Sequence, residues 1–315
     1  MEIRKPFVAI IGAGQVGATT AQRILEKNIA DVVLFDVVEG MPQGKALDLM
    51  EAAPLEGHDR RAIGTNDYKD LQGAEIVVVT AGLPRKPGMS REDLLALNAK
   101  IVTDVCSNIK RYAPESKILL VTNPLDLMTY LARRVTGFPS KRVFGMAGVL
   151  DTARMRFFIA DRLGLVPKDV EAVVLGGHGD LMVPVSSRTK AGGRPSKEKI
   201  PPGELSKIEQ RTRDGGAEIV ALLKTGSAYY APASSVCEMV RCVLRDEHKI
   251  LPVCAYAQGE YGIKDIYFGV PAELGAGGVE RIIEIPLDPE EEKGLRLSAQ
   301  KVRQGVAELE KLLPS

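Results

Sequence analysis

Four short apolar runs rich in β-branched residues punctuate the first half of the chain: Phe7–Ile11 ("FVAII"), Val32–Asp36 ("VVLFD"), Glu75–Thr80 ("EIVVVT") and Lys117–Thr122 ("KILLVT"). Runs this short and this continuously apolar read as strands buried on both faces. Between them lie longer stretches of helical period: residues 16–28, a stretch from Gly44, and residues 91–112. In the last, Leu94, Leu97, Ile101, Val105 and Ile109 recur at three- and four-residue steps, predicting an amphipathic helix whose stripe lies against the sheet. Alternating strands and helices predict βαβ units around a parallel sheet.

After about residue 150 the texture changes. "DTARMRFFIADRLG" (151–164) has helical period, whereas "VEAVVLGGHGD" (170–180) and "MVPVSSRTKAGGRP" (182–195), with a Gly-Gly turn, predict antiparallel strands rather than another crossover. From Pro289, the apolar residues Leu295, Val302, Val306, Leu309 and Leu313 among charges predict a closing amphipathic helix. The expected organisation is a doubly wound α/β unit at residues 1–150 and an α+β unit at residues 151–315.

Composition narrows the function classes. The chain has 315 residues, 45% of them hydrophobic and 26% charged, as in an ordinary globular protein. Its 42 Lys and Arg balance 41 Asp and Glu, so no global field attracts nucleic acid or an anionic membrane, and anion recognition must be local. No apolar run approaches the length of a membrane span. The amino-terminal "MEIRKPFVAIIGAG" reads as a strand lead-in rather than a signal peptide, making the cytoplasm the expected compartment. Cys106, Cys237, Cys242 and Cys254 form no CxxC pair, so buried reduced thiols are expected and no metal site is suggested.

Gly12, Gly14 and Gly17 in "GAGQVG" form G-x-G-x-x-G between a predicted strand and a predicted helix, a setting that lets a pyrophosphate approach a helix amino terminus. Asp36 ends the next strand, nineteen residues beyond Gly17, where a carboxylate accepts hydrogen bonds from an adenosine ribose and repels a 2′-phosphate. NAD is the cofactor this spacing favours. Two further strand ends, at Thr80, Ala81 and Gly82 and at Val121, Thr122 and Asn123, fall where open α/β sheets contact ligands.

Of three histidines, His58 and His248 have charged, loop-like neighbours and read as surface residues, whereas His178 lies between glycines in "LGGHGD". Imidazole suits proton exchange near neutral pH and needs a carboxylate to fix its tautomer. Asp180, two residues away, and Asp151, in "LDTAR" with Arg154 one helical turn on, are both candidates.

With "GAGQVG", "FD", "AGLPRKPGMSR", "LLALN", "VTNP", "LDTAR" and "GGHGD" in order and at matching spacings, nearly the whole chain resembles the lactate/malate dehydrogenase family. It is most similar to the family's bacterial, lactate-dehydrogenase-like malate dehydrogenases. The resemblance implies a Rossmann-type dinucleotide-binding half followed by an α+β catalytic half, NAD as cofactor, and reversible hydride transfer between (S)-malate and oxaloacetate, a reaction of the tricarboxylic acid cycle. It implies His178 as proton donor and acceptor, Asp151 as its orienting carboxylate, Arg154 as the fork for the substrate α-carboxylate, and Arg91 as polariser of the reacting carbonyl. Asn123 is then shared by nicotinamide and substrate, Asn98 contacts the cofactor, and Ser227 in "KTGSAYYAP" borders the substrate. Gly12, Ala13, Gly14, Gln15, Val16 and Gly17 make the phosphate loop, and a homo-oligomer, tetramer or dimer, is expected.

In that family, glutamine at the first arginine position of the loop accompanies lactate substrates and arginine accompanies malate; this chain has Arg85. A second cation in a closed site demands a second carboxylate, which oxaloacetate has and pyruvate lacks. The alternatives are an L-lactate or other 2-hydroxyacid dehydrogenase, a metal-dependent NAD glycosidase, and a non-catalytic sensor of the NADH to NAD⁺ ratio.

Overall fold

The computed structural model describes residues 3–84 and 90–313, Arg91 by its backbone alone. The first half runs β1 (Phe7–Ile11), α1 (Gln15–Glu26), β2 (Asp31–Phe35), α2 (Met41–Glu56), β3 (Ala62–Thr65), β4 (Ile76–Val79), α3 (Arg91–Tyr112), β5 (Lys117–Leu120), α4 (Leu125–Thr136) and β6 (Val143–Gly145). These strands pair in parallel in the order β3-β2-β1-β4-β5-β6, with β1 registered as Phe7↔Asp31 on one side and Val8↔Ile76 on the other. That order reverses between β1 and β4, so the carboxyl ends of these two strands flank the crevice where such sheets bind ligands.

Helices on both faces explain the uninterrupted apolar runs. In β1, Val8 and Ile10 join α1 residues Ile24 and Leu25 in one core, while Phe7, Ala9 and Ile11 join α3 and α4 residues Val102, Ile109 and Met128 in the other. Each strand thus packs alternate side chains into opposite layers. The stripe predicted for α3 is buried at Val105 and Ile109 but needs correction before them: Leu97 is exposed and Leu94 and Ile101 only partly buried, whereas Leu95, Asn98, Val102 and Cys106 face inward. The buried row contains a polar residue with a structural task, so counting apolar positions alone misplaced the stripe over the first half of the helix.

The second half runs α5 (Gly148–Leu163), β7 (Val170–Glu171), β8 (Val174–Gly176), β9 (Met182–Pro184), β10 (Lys190–Ala191), β11 (Arg194–Pro195), α6 (Pro202–Leu223), α7 (Tyr230–Leu244), β12 (Lys249–Gln258), β13 (Lys264–Gly275), β14 (Gly278–Ile282) and α8 (Pro289–Leu312). The expected antiparallel pairing is present: β8 pairs with β9, and β10 with β11 across Gly192 and Gly193, whose φ angles of 58° and 76° suit a tight hairpin. The long β12–β13 hairpin continues the main sheet, meeting β6 at Cys254↔Gly145 and β8 at Gly269↔Gly176. The closing helix α8 buries Leu295, Val302 and Leu309 as its pattern predicted.

His58 corrects another expectation: it is buried, with Nδ1 unpartnered among the described residues. Gly57 caps α2 in the left-handed conformation and the Asp59 amide binds Asn28 Oδ1, so the chain folds inward despite its charged neighbours. His248 is exposed between Asp246 and Glu273, as expected. All four cysteines are free and buried.

Candidate active site

The glycine motif occupies the β1–α1 junction. Gly12 has φ 106°, and a Cβ there would lie 2.6 Å from Thr80 Oγ1; a Cβ on Gly17 would overlap the Gly12 carbonyl oxygen. Both are glycine because protein backbone passes close. Gly14 differs, since a Cβ there meets nothing within 4 Å and α1 has no side-chain N-cap. The amino end of α1 is therefore left uncapped by any side chain, a setting that suits a pyrophosphate.

Asp36 is fixed beside this loop. Its Oδ2 accepts from the Ala13 amide at 2.7 Å, its Oδ1 from Val38 N at 3.0 Å, and Asn66 Nδ2 donates to the Asp36 carbonyl at 2.6 Å. Lys45 Nζ donates to the Ala13 carbonyl at 2.6 Å, a cradle residue that the sequence did not single out. The two other strand ends are tied to the loop and to each other. Thr80 Oγ1 donates to the Gly12 carbonyl at 3.0 Å and Thr122 Oγ1 to the Ala81 carbonyl at 2.6 Å. A Cβ on Gly82 would sit 2.5 Å from Thr122 Cγ2. Asn98 accepts from Leu83 N at 2.8 Å and donates to the Asn123 carbonyl at 2.8 Å. Asn98 therefore clamps both loops together with its side-chain amide already engaged, while Asn123 itself is exposed.

Across the sheet end, α5 presents Asp151 and Arg154 one turn apart. The two candidate carboxylates near His178 are resolved in favour of Asp151, whose Oδ2 lies 2.9 Å from His178 Nδ1; its Oδ1 lies 3.3 Å from Arg154 Nη1. One buried carboxylate thus orients both an imidazole and a guanidinium. Because Nδ1 is engaged, Nε2 is the imidazole nitrogen left to exchange a proton. Burial disfavours the charged imidazole, but the Asp151 charge and hydrogen bond, joined by Asp126, outweigh it and raise the His178 pKa; Arg154 pulls the other way. Burial likewise lowers the Arg154 pKa against the pull of Asp151.

Two features here were not singled out from sequence. Gly215 and Gly216 on α6 lie against the Arg154 side chain, leaving it room. Asp126, in the first turn of α4, accepts from the His178 amide at 2.9 Å. The available signals were "DGGAE", a glycine pair inside a helical stretch, and the acid of "NPLD" beside an otherwise recognised motif. Ser227 is exposed in the connector between α6 and α7. Arg85 lies outside the described residues, as does the Arg91 side chain; Arg91 is the first residue of α3, behind a capping box between Ser90 and Asp93. Among the described residues no His, Cys, Asp and Glu group together as metal ligands, and no helix is long and apolar enough to cross a membrane.

A glycine-rich loop at a switch point, together with an imidazole held by its own buried carboxylate, fits an NAD-dependent oxidoreductase. Comparison with known proteins agrees. The family model for the lactate/malate dehydrogenase NAD-binding domain matches residues 7–145, and that for its alpha/beta C-terminal domain matches residues 148–312. The chain is 54% identical over 308 residues to a malate dehydrogenase of Nostoc punctiforme, covering 98% of this chain and 94% of the relative. It is 50% identical over 303 residues to one of Methanosarcina mazei, covering 96% and 99%. Among solved structures, a malate dehydrogenase of Salinibacter ruber superposes with TM-score 0.93 at 46% identity, covering 97% of this chain and 98% of that one. A lactate dehydrogenase of Cryptosporidium parvum, complexed with lactic acid and nicotinamide adenine dinucleotide, superposes with TM-score 0.94 at 41% identity, covering 99% and 100%. The chain belongs to the lactate/malate dehydrogenase family.

Proposed function

We infer that the chain is a malate dehydrogenase, interconverting (S)-malate and oxaloacetate with NAD. The backbone does not choose between malate and lactate, since structures of both kinds superpose equally well. Two things support malate: relatives of that name at 50–55% identity, and the arginine at position 85 of the sequence.

The observation that carries the mechanism is the single Asp151 carboxylate held between His178 and Arg154. When bound, NADH would supply the hydride for reduction and NAD⁺ would accept it in oxidation. Arg154 grips the substrate α-carboxylate through its planar fork, Arg85 pairs with the distal carboxylate, and Arg91 stabilises negative charge on the reacting oxygen. In reduction His178 donates its Nε2 proton to that oxygen; in oxidation neutral His178 takes the hydroxyl proton. Asp151 stabilises the resulting imidazolium. Gly12, Ala13, Gly14, Gln15, Val16 and Gly17 hold the pyrophosphate, Asp36 the adenosine ribose, and Thr80, Ala81, Gly82, Val121, Thr122 and Asn123 the nicotinamide half. Asn98 serves that half by locking its two loops, and Ser227 borders the substrate.

His178→Asn tests this reading: turnover is expected to disappear while NADH fluorescence still reports binding, and retained turnover would remove His178 from its role. We also propose a nucleotide unit at residues 1–150 and a catalytic unit at residues 151–315, a cytoplasmic location, a place in the tricarboxylic acid cycle, and a homo-oligomer of two or four chains. Sedimentation tests the assembly.

A further inference from the structure

The acid–base reading leaves one buried carboxylate unused. Asp126, in the first turn of α4, is 6% exposed. Its Oδ2 accepts from the backbone amide of His178 at 2.9 Å and its Oδ1 from the thiol of Cys254, on β12, at 3.3 Å. Both neighbours are donors toward it, the arrangement that suits an ionised carboxylate. Burial raises the Cys254 thiol well above its ordinary value, so the donor keeps its hydrogen at neutral pH. The fold makes room for this contact. A Cβ on Gly177 would lie 3.3 Å from Asp126 Oδ2 and 2.9 Å from Val302 Cγ2. The adjacent Gly177 amide is held by Ser298 Oγ of α8 at 2.9 Å, and Ser298 in turn donates to the Leu181 carbonyl at 2.6 Å. The loop bearing the imidazole is therefore tied from α4 on one side and α8 on the other.

We propose that Asp126 is a positioning residue for proton transfer, fixing the His178 peptide and supplying a second negative charge behind the imidazole. This rests on His178 being the proton donor and acceptor. The charged groups facing His178 are Asp151 and Arg154 from α5 and Asp126 from α4; those facing Asp126 are His178, Cys254 and, farther off, Asp151. Burial raises the pKa of Asp126 itself, while the His178 amide, the His178 charge and the Cys254 thiol each oppose the rise by favouring the ionised carboxylate.

Asp126→Asn keeps an acceptor for the His178 amide and removes the charge. With three histidines in the chain, 13C NMR titration resolves His178 by its loss in His178→Asn. The expected result in Asp126→Asn is a His178 pKa lower by about half a unit or more, roughly a threefold change in its protonation constant. The fall of kcat/KM for oxaloacetate with rising pH should move to lower pH by the same amount. A merely structural role would change kcat without moving the profile. Cys254→Ala leaves Asp126 in place, strips one donor, and is expected to move the profile the same way by less; it carries the test if Asp126→Asn lacks the native circular dichroism spectrum. An unmoved titration and profile overturn the proposal. Turnover by His178→Asn would instead overturn the assignment beneath it.

Discussion

Gly215 faces Arg154 so closely that a single methyl group would touch it: a Cβ on Gly215 lies 3.1 Å from Arg154 Cδ and 3.3 Å from Nε. α6 omits a side chain where Arg154 passes on its way to Asp151. Gly215→Ala should push the arginine out of line with its carboxylate, raising KM for oxaloacetate on the order of threefold to tenfold with a smaller effect on kcat. Steady-state kinetics decide it, and an unchanged KM would show that Arg154 does not bind substrate from this position.

Asp151→Asn should be far more damaging. It removes the charge that holds the His178 pKa up and alters the hydrogen bond that fixes its tautomer. Oxaloacetate reduction needs the protonated imidazole, so at pH 7.5 and above the rate should fall by about a hundredfold or more. Lowering the pH should recover part of the loss, because a weaker base is protonated only at lower pH. A pH–rate profile parallel to that of the unmodified chain would contradict the account.

Linkage supplies a separate pH prediction. Since His178 has a folded pKa above its ordinary value of 6.5, its protonation stabilises the fold fully below about that pH, and the contribution is lost as pH rises through the raised folded value. The Tm difference between the unmodified chain and His178→Asn should therefore be larger at pH 5.5 than at pH 8.5. A difference that grows with pH would mean that burial, rather than Asp151, dominates the imidazole.

The glycine loop separates packing from ligand approach. Gly17→Ala collides with the Gly12 carbonyl and should cost about 1–3 kcal/mol of stability, read by urea unfolding. Gly14→Ala meets no protein atom, so its Tm should change little while NADH binding weakens severalfold. Equal NADH affinity in Gly14→Ala would remove the pyrophosphate from that cradle.

Cofactor choice should turn on Asp36. Its carboxylate shares Ala13 with Lys45, one gripping the amide and the other the carbonyl. Asp36→Ser removes the anion and leaves the cation, so the NADPH to NADH ratio of kcat/KM should rise by about tenfold or more. An unaltered ratio would place the 2′ position elsewhere.

What could be read ahead of the structure was what repeats locally. The β1 and β4 runs are apolar throughout, and β2 is apolar after Asp31, because helices cover the sheet's faces, and the glycine motif with Asp36 follows from strand and loop geometry. What escaped depends on contacts between distant segments. Asp126 and His178 are 52 residues apart, and Gly215 matters only because α6 crosses α5. Asn98 broke the count along α3 because a polar side chain sat in the buried row, and His58 went inside through a turn that charged neighbours disguised. The β12–β13 hairpin carries polar residues at its ends and buried ones on both faces in between, so it shows neither clean alternation nor a short apolar run.

The most direct measurement is NADH oxidation by the purified chain with oxaloacetate and, in parallel, with pyruvate, each across a full concentration range. The proposed pairing of Arg85 with a distal carboxylate predicts kcat/KM for oxaloacetate at least about a thousandfold above that for pyruvate. Comparable turnover of pyruvate would contradict the account: the family, the cofactor and His178 would stand, and the assignment of Arg85 and malate would fall.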